Sequence, residues 1–142
     1  MAPFLRRARP LIAYCVLIFG QSSGESPVDL PQLPGVDKVL HAGGYGLLGV
    51  LFYRAYRSRW PNASGWATAN AGLLSAAFCG FTDELHQAFV PSRTADPFDW
   101  LADTFGALLG IAAYGLFLRL WSRRSAGRCG LAQLTKRVGS DR

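Results

Sequence analysis

The residues whose types could do chemistry are concentrated in one short stretch, from Thr82 to Asp103. It holds five of the nine acidic residues, one of the two histidines and a single arginine. These residues are Asp83, Glu84, His86, Arg93, Asp96, Asp99 and Asp103. Imidazoles and carboxylates can hold a divalent cation or act as acid and base. An arginine suits a phosphate or a carboxylate. Their concentration between apolar, glycine-rich runs predicts a polar site.

Helical spacing groups the candidate residues on shared faces. Asp83, His86 and Gln87 stand at positions i, i+3 and i+4, whereas Glu84 lies about 100° away from Asp83 around a helix. Upstream, Lys38, His41 and Tyr45 follow one another at steps of three and four and share a face as well. The predicted ligand-binding set is Lys38, His41, Tyr45, Asp83, Glu84, His86, Gln87, Arg93, Asp99 and Asp103.

Within this set, the residue types define two narrower groups of candidates. The candidates for acid–base catalysis are His41, His86 and Glu84. The candidates for ligands of a divalent cation, the one cofactor considered, are His41, Asp83, His86 and Asp99.

A structural alternative explains the same residues without a ligand. Buried ionic groups must be paired whether or not they act, so Lys38 and Arg93 could neutralise carboxylates and join three helices. Under this alternative Arg93 bridges to Asp99 or Glu84. Asp37 and Asp96 fit helix caps better than they fit ligands, because aspartate is a favoured N-cap residue.

The placement of charge indicates a membrane protein. Half of the residues are apolar and only 17% are charged, against about 25% in soluble domains. Basic residues cluster in 6–9, 54–59 and 119–142, nearly all acids lie in 25–37 and 83–103, and apolar segments separate the groups. Cytoplasmic loops of membrane proteins collect Lys and Arg, so this alternation predicts repeated crossings rather than nucleic-acid binding.

The chain is therefore predicted to be all-α. We expect an integral membrane bundle of four transmembrane helices with both termini cytoplasmic, spanning about 10–22, 37–56, 66–90 and 97–121. Residues 1–121 form the membrane domain, and 122–142 form a basic, partly disordered cytoplasmic tail. The first apolar run is short, so a cleaved signal peptide is an alternative to a retained helix.

Local signals support two of the helix boundaries and one helix contact. Pro91 ends the third helix. Asp96-Pro97-Phe98-Asp99 has an N-cap residue, a proline at the first helical position and an acid at the capping-box position. Four glycines of the second helix predict a thin surface that another helix can approach closely: Gly43, Gly44, Gly46 and Gly49.

Two motifs resemble those of the VanZ-like family of bacterial membrane proteins. They are D-K-V-L-H-A-G-G-Y, starting at Asp37, and T-D-E-L-H-Q-A-F-V-P-S-R-T-A-D-P-F-D-W-L-A-D-T-F-G, starting at Thr82. The resemblance covers about 11–118, favours a retained first helix and implies a compact four-helix membrane unit. The chain departs from the family at Ser92, where glycine is usual, and at Asp103, where asparagine is common.

The resemblance implies a multi-pass protein of the bacterial inner (plasma) membrane, and a family member is linked to teicoplanin resistance. We therefore expect the membrane lipid bilayer as a partner. One hypothesis is a binding protein that affects glycopeptide susceptibility. It would hold a lipid-linked cell-wall precursor, a lipid head group or a lipoglycopeptide at the outer leaflet. The alternative is a membrane-embedded, metal-dependent hydrolase or transferase that acts on a phospholipid or a polyprenyl-linked substrate.

Overall fold

The structure is a computed structural model that describes residues 2–24, 35–91, 93 and 95–140. Its four helices are α1 (Ala2–Ser22), α2 (Val36–Arg59), α3 (Gly65–Gln87) and α4 (Pro97–Ser140). No strand occurs in those described ranges, so the predicted all-α class is confirmed. Two compact units divide the chain, Met1–Ile111 and Ala112–Arg142.

The first and last helices are longer than predicted. Helix α1 begins at Ala2 instead of about residue 10 and contains Pro10, whereas α4 continues to Ser140 instead of ending near 121. No proline follows Pro97, and strong helix formers such as Ala, Leu, Arg and Lys outnumber the weaker Gly127 and Gly130, so α4 continues through these glycines. Side chains of 126–142 lie outside the described residues, and partial disorder of the tail stays a prediction.

Helix α3 ends at Gln87, three residues before the predicted Val90. After Ala88, two residues form tighter hydrogen bonds that span three residues: Phe89 N–H donates to the His86 carbonyl and Val90 N–H to the Gln87 carbonyl, both over 3.0 Å. A residue before proline is disfavoured in the α conformation. Pro91 therefore acts on the chain ahead of it as well as on its own position.

Glycines bring the backbones of α2 and α4 into direct contact. A Cβ atom added at Gly106 would collide with the carbonyl of Ala42, and one added at Gly110 would collide with that of Gly46. The predicted thin surface on α2 is thus used at Gly46, whereas Gly43 has no neighbour within 4 Å. This close approach is what sets the N-terminal part of α4 against the N-terminal part of α2.

The buried core of this bundle is small. Tyr45, Leu48, Ala76 and Ala107 form its centre. Cross-helix hydrogen bonds add to it: Trp100 Nε1 donates to the Ala77 carbonyl over 2.9 Å, and the Tyr56 and Ser75 hydroxyls lie 2.8 Å apart. Most of the large apolar side chains remain outside this core.

Large apolar side chains are exposed along the helices. Val16, Leu74, Phe78 and Phe89 are 66%, 70%, 66% and 80% exposed. Across the described part of the chain, one helix is long and apolar enough to cross a membrane, Pro97–Ser125, and 22% of its most apolar stretch is buried. Soluble monomers rarely expose apolar surface this extensively.

Candidate functional site

The candidate residues lie where one end of the bundle is built from four helix termini. These are the C-terminal ends of α1 and α3 and the N-terminal ends of α2 and α4. The side chains there form two ionic groups and a cavity. We call Lys38 with its three carboxylates the Lys38 cluster, and the buried group His41, Glu84 and Asp103 the His41 cluster.

The Lys38 cluster is a set of paired, partly exposed charges. Lys38 Nζ lies 2.7 Å from Asp99 Oδ1, 2.8 Å from Asp96 Oδ2 and 3.5 Å from Asp37 Oδ2. The hydrogen bond from Lys38 is the main cause that lowers the pKa of Asp96, and a hydrogen bond from the backbone N–H of Phe98 lowers it further. This cluster ties the start of α2 to the start of α4 and gives each of its three carboxylates an ammonium partner.

The start of α4 only partly follows the predicted capping pattern. Asp96 Oδ1 accepts the N–H of Phe98 over 2.9 Å, so its role as a cap is confirmed. Its own backbone N–H donates to Glu84 Oε2 over 2.9 Å, and Asp99 instead binds Lys38. The capping box predicted for Asp99 is therefore wrong, because a tertiary acceptor has replaced the local one. The cap predicted at Asp37 is wrong, because Asp37 lies in the first turn of α2, whose N-cap is Gly35.

In the His41 cluster the two carboxylates are buried, His41 is half-buried, and hydrogen-bond partners are short. His41 Nδ1 and Asp103 Oδ1 share a hydrogen bond of 3.0 Å, and Asp103 is 0% exposed. One nitrogen of His41, one oxygen of Glu84 and one oxygen of Asp103 all lie within 4.8 Å of one another. Two acceptor atoms of the cluster, Glu84 Oε1 and Asp103 Oδ2, are buried without a partner.

A cavity of about 200 Å³ adjoins His41. Its polar wall includes five candidate residues: His41, Tyr45, Asp83, Gln87 and Arg93. Gln87 Nε2 donates to Asp83 Oδ2 over 3.1 Å, and the hydroxyl of Tyr45 is buried without a partner. The structure thus brings these five side chains around one space, with candidates from α2, α3 and the loop that follows α3.

The apolar wall of the cavity comes from α1 and α2. Leu17, Ile18 and Leu40 line it, and Leu17 and Leu40 are themselves 57% and 53% exposed. The cavity therefore joins a polar wall to an apolar surface of the bundle. A larger depression of about 720 Å³ lies at the other helix ends, near Trp60 and Ala67, and holds no candidate residue.

Arg93 is held by carbonyl groups at the end of α1. Its Nε donates to the carbonyl of Gly24 over 3.0 Å, and its Nη2 donates to that of Gln21 over 2.8 Å. In the described contacts, Arg93 does not form the bridge to Asp99 or Glu84 that the structural alternative predicts. Arginine has five N–H donors, so donors remain for a ligand in the cavity.

His86 is placed apart from the other candidates. Its Nε2 lies 3.1 Å from the hydroxyl of Ser23, and its ring lies 4.7 Å from that of Phe19. It belongs neither to the described cavity lining nor to the His41 cluster. Asp83 and Gln87 are buried on α3, whereas His86 contacts α1.

Comparison with known proteins identifies the family. The family model described as VanZ/LLP1 matches residues 8–118. The chain belongs to the VanZ/LLP1 family. The match includes every candidate residue of this VanZ-like chain and confirms the resemblance that the two motifs indicated. Neither the curated proteins nor the solved structures contain a match.

The sequence reasoning missed the contribution of α1 to the site of this VanZ-like protein. The hydroxyl of Tyr14 donates to the Gly44 carbonyl over 3.1 Å, and the Gln21 carbonyl holds Arg93. One available signal was the tyrosine in an apolar run, because its hydroxyl needs a partner. Another was the set of carbonyls left unsatisfied at every helix C-terminus, which a lone arginine can fill.

Proposed function

We propose that this VanZ-like protein is a multi-pass protein of the bacterial inner membrane that binds the head group of an envelope lipid. In this proposal α1 to α4 all cross the bilayer, and both termini are cytoplasmic. The cavity between α1, α2 and α3 opens toward the outer leaflet and receives the head group.

Helix lengths and charge placement support the four crossings. Helices α2 and α3 have 24 and 23 residues, or about 35 Å each, which exceeds the about 30 Å of a bilayer core. Charged residues sit at their ends: Lys38 begins α2, Arg59 ends it, and Glu84 is in the last turn of α3. These terminal charges lower the apolarity of both helices without placing charge at the bilayer centre. The positive-inside rule assigns the Arg59 end to the cytoplasm.

The observation that carries the binding proposal is the two-sided lining of the cavity. Arg93 and His41 supply polar contacts on one side, and the exposed Leu17 and Leu40 supply an apolar exit on the other. A lipid has the same division between its head group and its acyl or prenyl chain. Arginine binds phosphate through several N–H groups at once, so a phosphate-bearing head group is favoured.

The size of the cavity distinguishes among the ligand classes. Its volume of about 200 Å³ is below the about 300–1,000 Å³ of pockets that enclose drug-sized ligands. A phosphate with its immediate substituents matches this space better than a whole lipoglycopeptide does. Any effect on teicoplanin-type susceptibility would then follow from binding the lipid-linked cell-wall precursor rather than the antibiotic.

A binding measurement tests this proposal. The purified protein in detergent is mixed with phosphatidylglycerol, phosphatidylethanolamine, a polyprenyl phosphate or teicoplanin, and bound ligand is counted by native mass spectrometry. We expect a preferred phospholipid or polyprenyl phosphate, and at least about tenfold weaker binding in Arg93→Ala. Arg54→Ala, an exposed arginine near the other end of α2, is the matched control. Equal binding by wild type and Arg93→Ala, or a preference for teicoplanin alone, would overturn the proposal.

A second candidate function, a hydrolase or transferase on the same lipid class, is favoured by one observation. His41 belongs both to the cavity wall and to the under-paired carboxylate cluster. It could therefore act as a base on a group bound in the cavity. The test is phosphate release from a polyprenyl diphosphate, with and without EDTA. Unchanged release by His41→Ala and Glu84→Gln would exclude this function.

A further inference from the structure

We propose that His41, Glu84 and Asp103 form a binding site for one divalent transition-metal cation. The three residues come from α2, α3 and α4, so a bound ion would join three helices. This site goes beyond lipid binding: it shares His41 with the cavity wall, but Glu84 and Asp103 are not in the cavity lining and Arg93 is not a ligand.

The ligand set suits an ion such as Mn²⁺ or Zn²⁺. One imidazole nitrogen and two carboxylate oxygens match the mixed nitrogen and oxygen preference of these ions. The three ligand atoms lie within 4.8 Å of one another. Ligands of a tetrahedral ion with bonds of about 2.1 Å lie about 3.4 Å apart. Side-chain rotation must therefore bring the ligands closer together when the ion binds.

Unpartnered buried oxygens are the independent observation that points to a ligand. Glu84 Oε1 and Asp103 Oδ2 are buried without a hydrogen-bond partner, in residues that are only 8% and 0% exposed. A buried acceptor without a partner costs about 1–3 kcal/mol, and more when it carries charge. A cation bound by these two carboxylates would give the unpartnered oxygens a partner.

The neighbouring basic side chains are engaged elsewhere. Lys38 binds Asp96 and Asp99, and Arg93 binds the carbonyls of Gln21 and Gly24. The described contacts therefore leave His41 to offset two carboxylates. One positive imidazole cannot balance two negative charges in a buried cluster, and a divalent cation with a neutral imidazole can.

Each carboxylate ligand is held in place by a second contact. Glu84 Oε2 accepts the backbone N–H of Asp96, which leaves Oε1 free, and Asp103 Oδ1 bonds His41. A Cβ atom at Gly80 would lie 3.0 Å from Asp103 Oδ2, so the glycine leaves room for this carboxylate. A contact from outside the ligand set, here the one from Asp96 to Glu84, orients ligands in established metal sites.

The other three metal candidates from the sequence are already occupied by protein partners. Asp83 accepts from Gln87, His86 contacts Ser23, and Asp99 binds Lys38. These contacts set them apart from Glu84 and Asp103, which retain free buried oxygens. They also make His86 and Asp99 suitable control positions.

The experiment is metal binding by the full chain in detergent after treatment with EDTA and dialysis. Mn²⁺ is titrated and followed by electron paramagnetic resonance, and bound Zn²⁺ is counted by mass spectrometry. We expect one ion per chain and a rise in the thermal unfolding midpoint on binding. Glu84→Gln and Asp103→Asn should weaken binding at least about 10–100-fold. His86→Ala and Asp99→Asn should bind as wild type does.

Several outcomes would overturn the site. One such outcome is that the folded wild type binds neither ion, because the cluster would then be neutralised by a proton. Equal binding by wild type and Glu84→Gln is another, because the ion would then lie elsewhere. Glu84→Gln keeps the acceptor for the Asp96 N–H, so it serves even where Asp103→Asn fails to fold. Arg93→Ala should keep Mn²⁺ binding, which separates this result from the lipid proposal.

Discussion

The Lys38–Asp99 pair of the Lys38 cluster and the His41–Asp103 pair of the His41 cluster lie on successive turns of α2 and α4. Lys38 faces Asp99, and three and four residues further along α2 and α4, His41 faces Asp103. In the outer turn each carboxylate has the same ammonium partner, and Lys38 and Asp96 are more than a third exposed. In the inner turn Asp103 is fully buried and one of its oxygens has no partner.

This difference in depth separates structural charges from a candidate site. Charges at the rim of the bundle are solvated and can pair with any nearby opposite charge. One turn deeper, an unsatisfied oxygen has no water to bind and needs a ligand or a proton. The structural explanation and the functional explanation of the acidic stretch therefore each apply to different residues. Lys38, Asp96 and Asp99 form an ionic network, whereas His41, Glu84 and Asp103 form the candidate site.

The largest effect is expected from separating the helices that build both clusters. Gly106→Val places branched carbon atoms against the carbonyl of Ala42, so α4 must move away from α2. Overpacking typically costs about 1–3 kcal/mol, and a clash with backbone falls at the upper end or beyond it. Thermal unfolding in detergent should show a large drop in midpoint, and Mn²⁺ binding should be lost.

Gly43→Ala is the matched control for this change, because nothing lies within 4 Å of the position where its Cβ would be. This variant should unfold at or slightly above the wild-type midpoint, since alanine favours a helix over glycine. Similar midpoints for Gly106→Val and Gly43→Ala would contradict the close contact between α2 and α4.

Removing one charge from each cluster should change the thermal midpoint by an intermediate amount, in opposite directions for the two clusters. Lys38→Met removes the ammonium that three carboxylates share, so the thermal midpoint should fall by several degrees. Glu84→Gln removes a buried charge and keeps an acceptor for the Asp96 N–H. The metal-free Glu84→Gln protein should therefore unfold at or above the wild-type midpoint. A reversed order of these two midpoints would refute the contrast.

The smallest expected effect is a pH dependence of the thermal midpoint that involves the Lys38 cluster alone. The Lys38 and Phe98 hydrogen bonds hold the pKa of Asp96 below its ordinary 3.8. A lowered pKa contributes stability above that ordinary value and loses the contribution as pH falls through the folded-state pKa. At about pH 6 the thermal midpoint of the wild type should therefore be slightly higher than that of Asp96→Asn. This difference should disappear as the pH falls toward about 3.

Asp96→Asn is a controlled change, because asparagine is an equally good cap for the N–H of Phe98. The effect should be small, since an exposed ion pair contributes little. A difference in midpoint that grows as the pH is lowered would contradict the assigned role of Lys38.

Local signals predicted much of the fold. Proline and aspartate at 96–97 marked the start of α4, and glycine spacing marked the close contact of α2. The predicted ends of α1, α3 and α4 were less accurate, because neighbouring prolines and good helix formers shift a helix boundary without a distinct local pattern. The family resemblance was confirmed, since it rested on two long motifs.

The candidate site was only partly open to prediction from spacing. Spacing placed His86 on a face with Asp83 and Gln87, yet His86 contacts α1, whereas the other two are buried. Helical periodicity says which residues share a face and nothing about which helix that face meets. For the same reason the partners of Arg93, one carbonyl in the last turn of α1 and one just after it, could not be predicted from the loop that carries Arg93.

By itself the sequence determined an all-α chain of the VanZ/LLP1 family, with its acidic and histidine residues gathered near the ends of three helices. Composition and periodicity suffice for that, because they act within each helix. Only the tertiary structure decided that Asp99 would be neutralised by Lys38 and that Asp103 would be buried beside His41 and Glu84. That choice depends on how closely and how deeply α4 packs against α2, which is a property of the assembled helices.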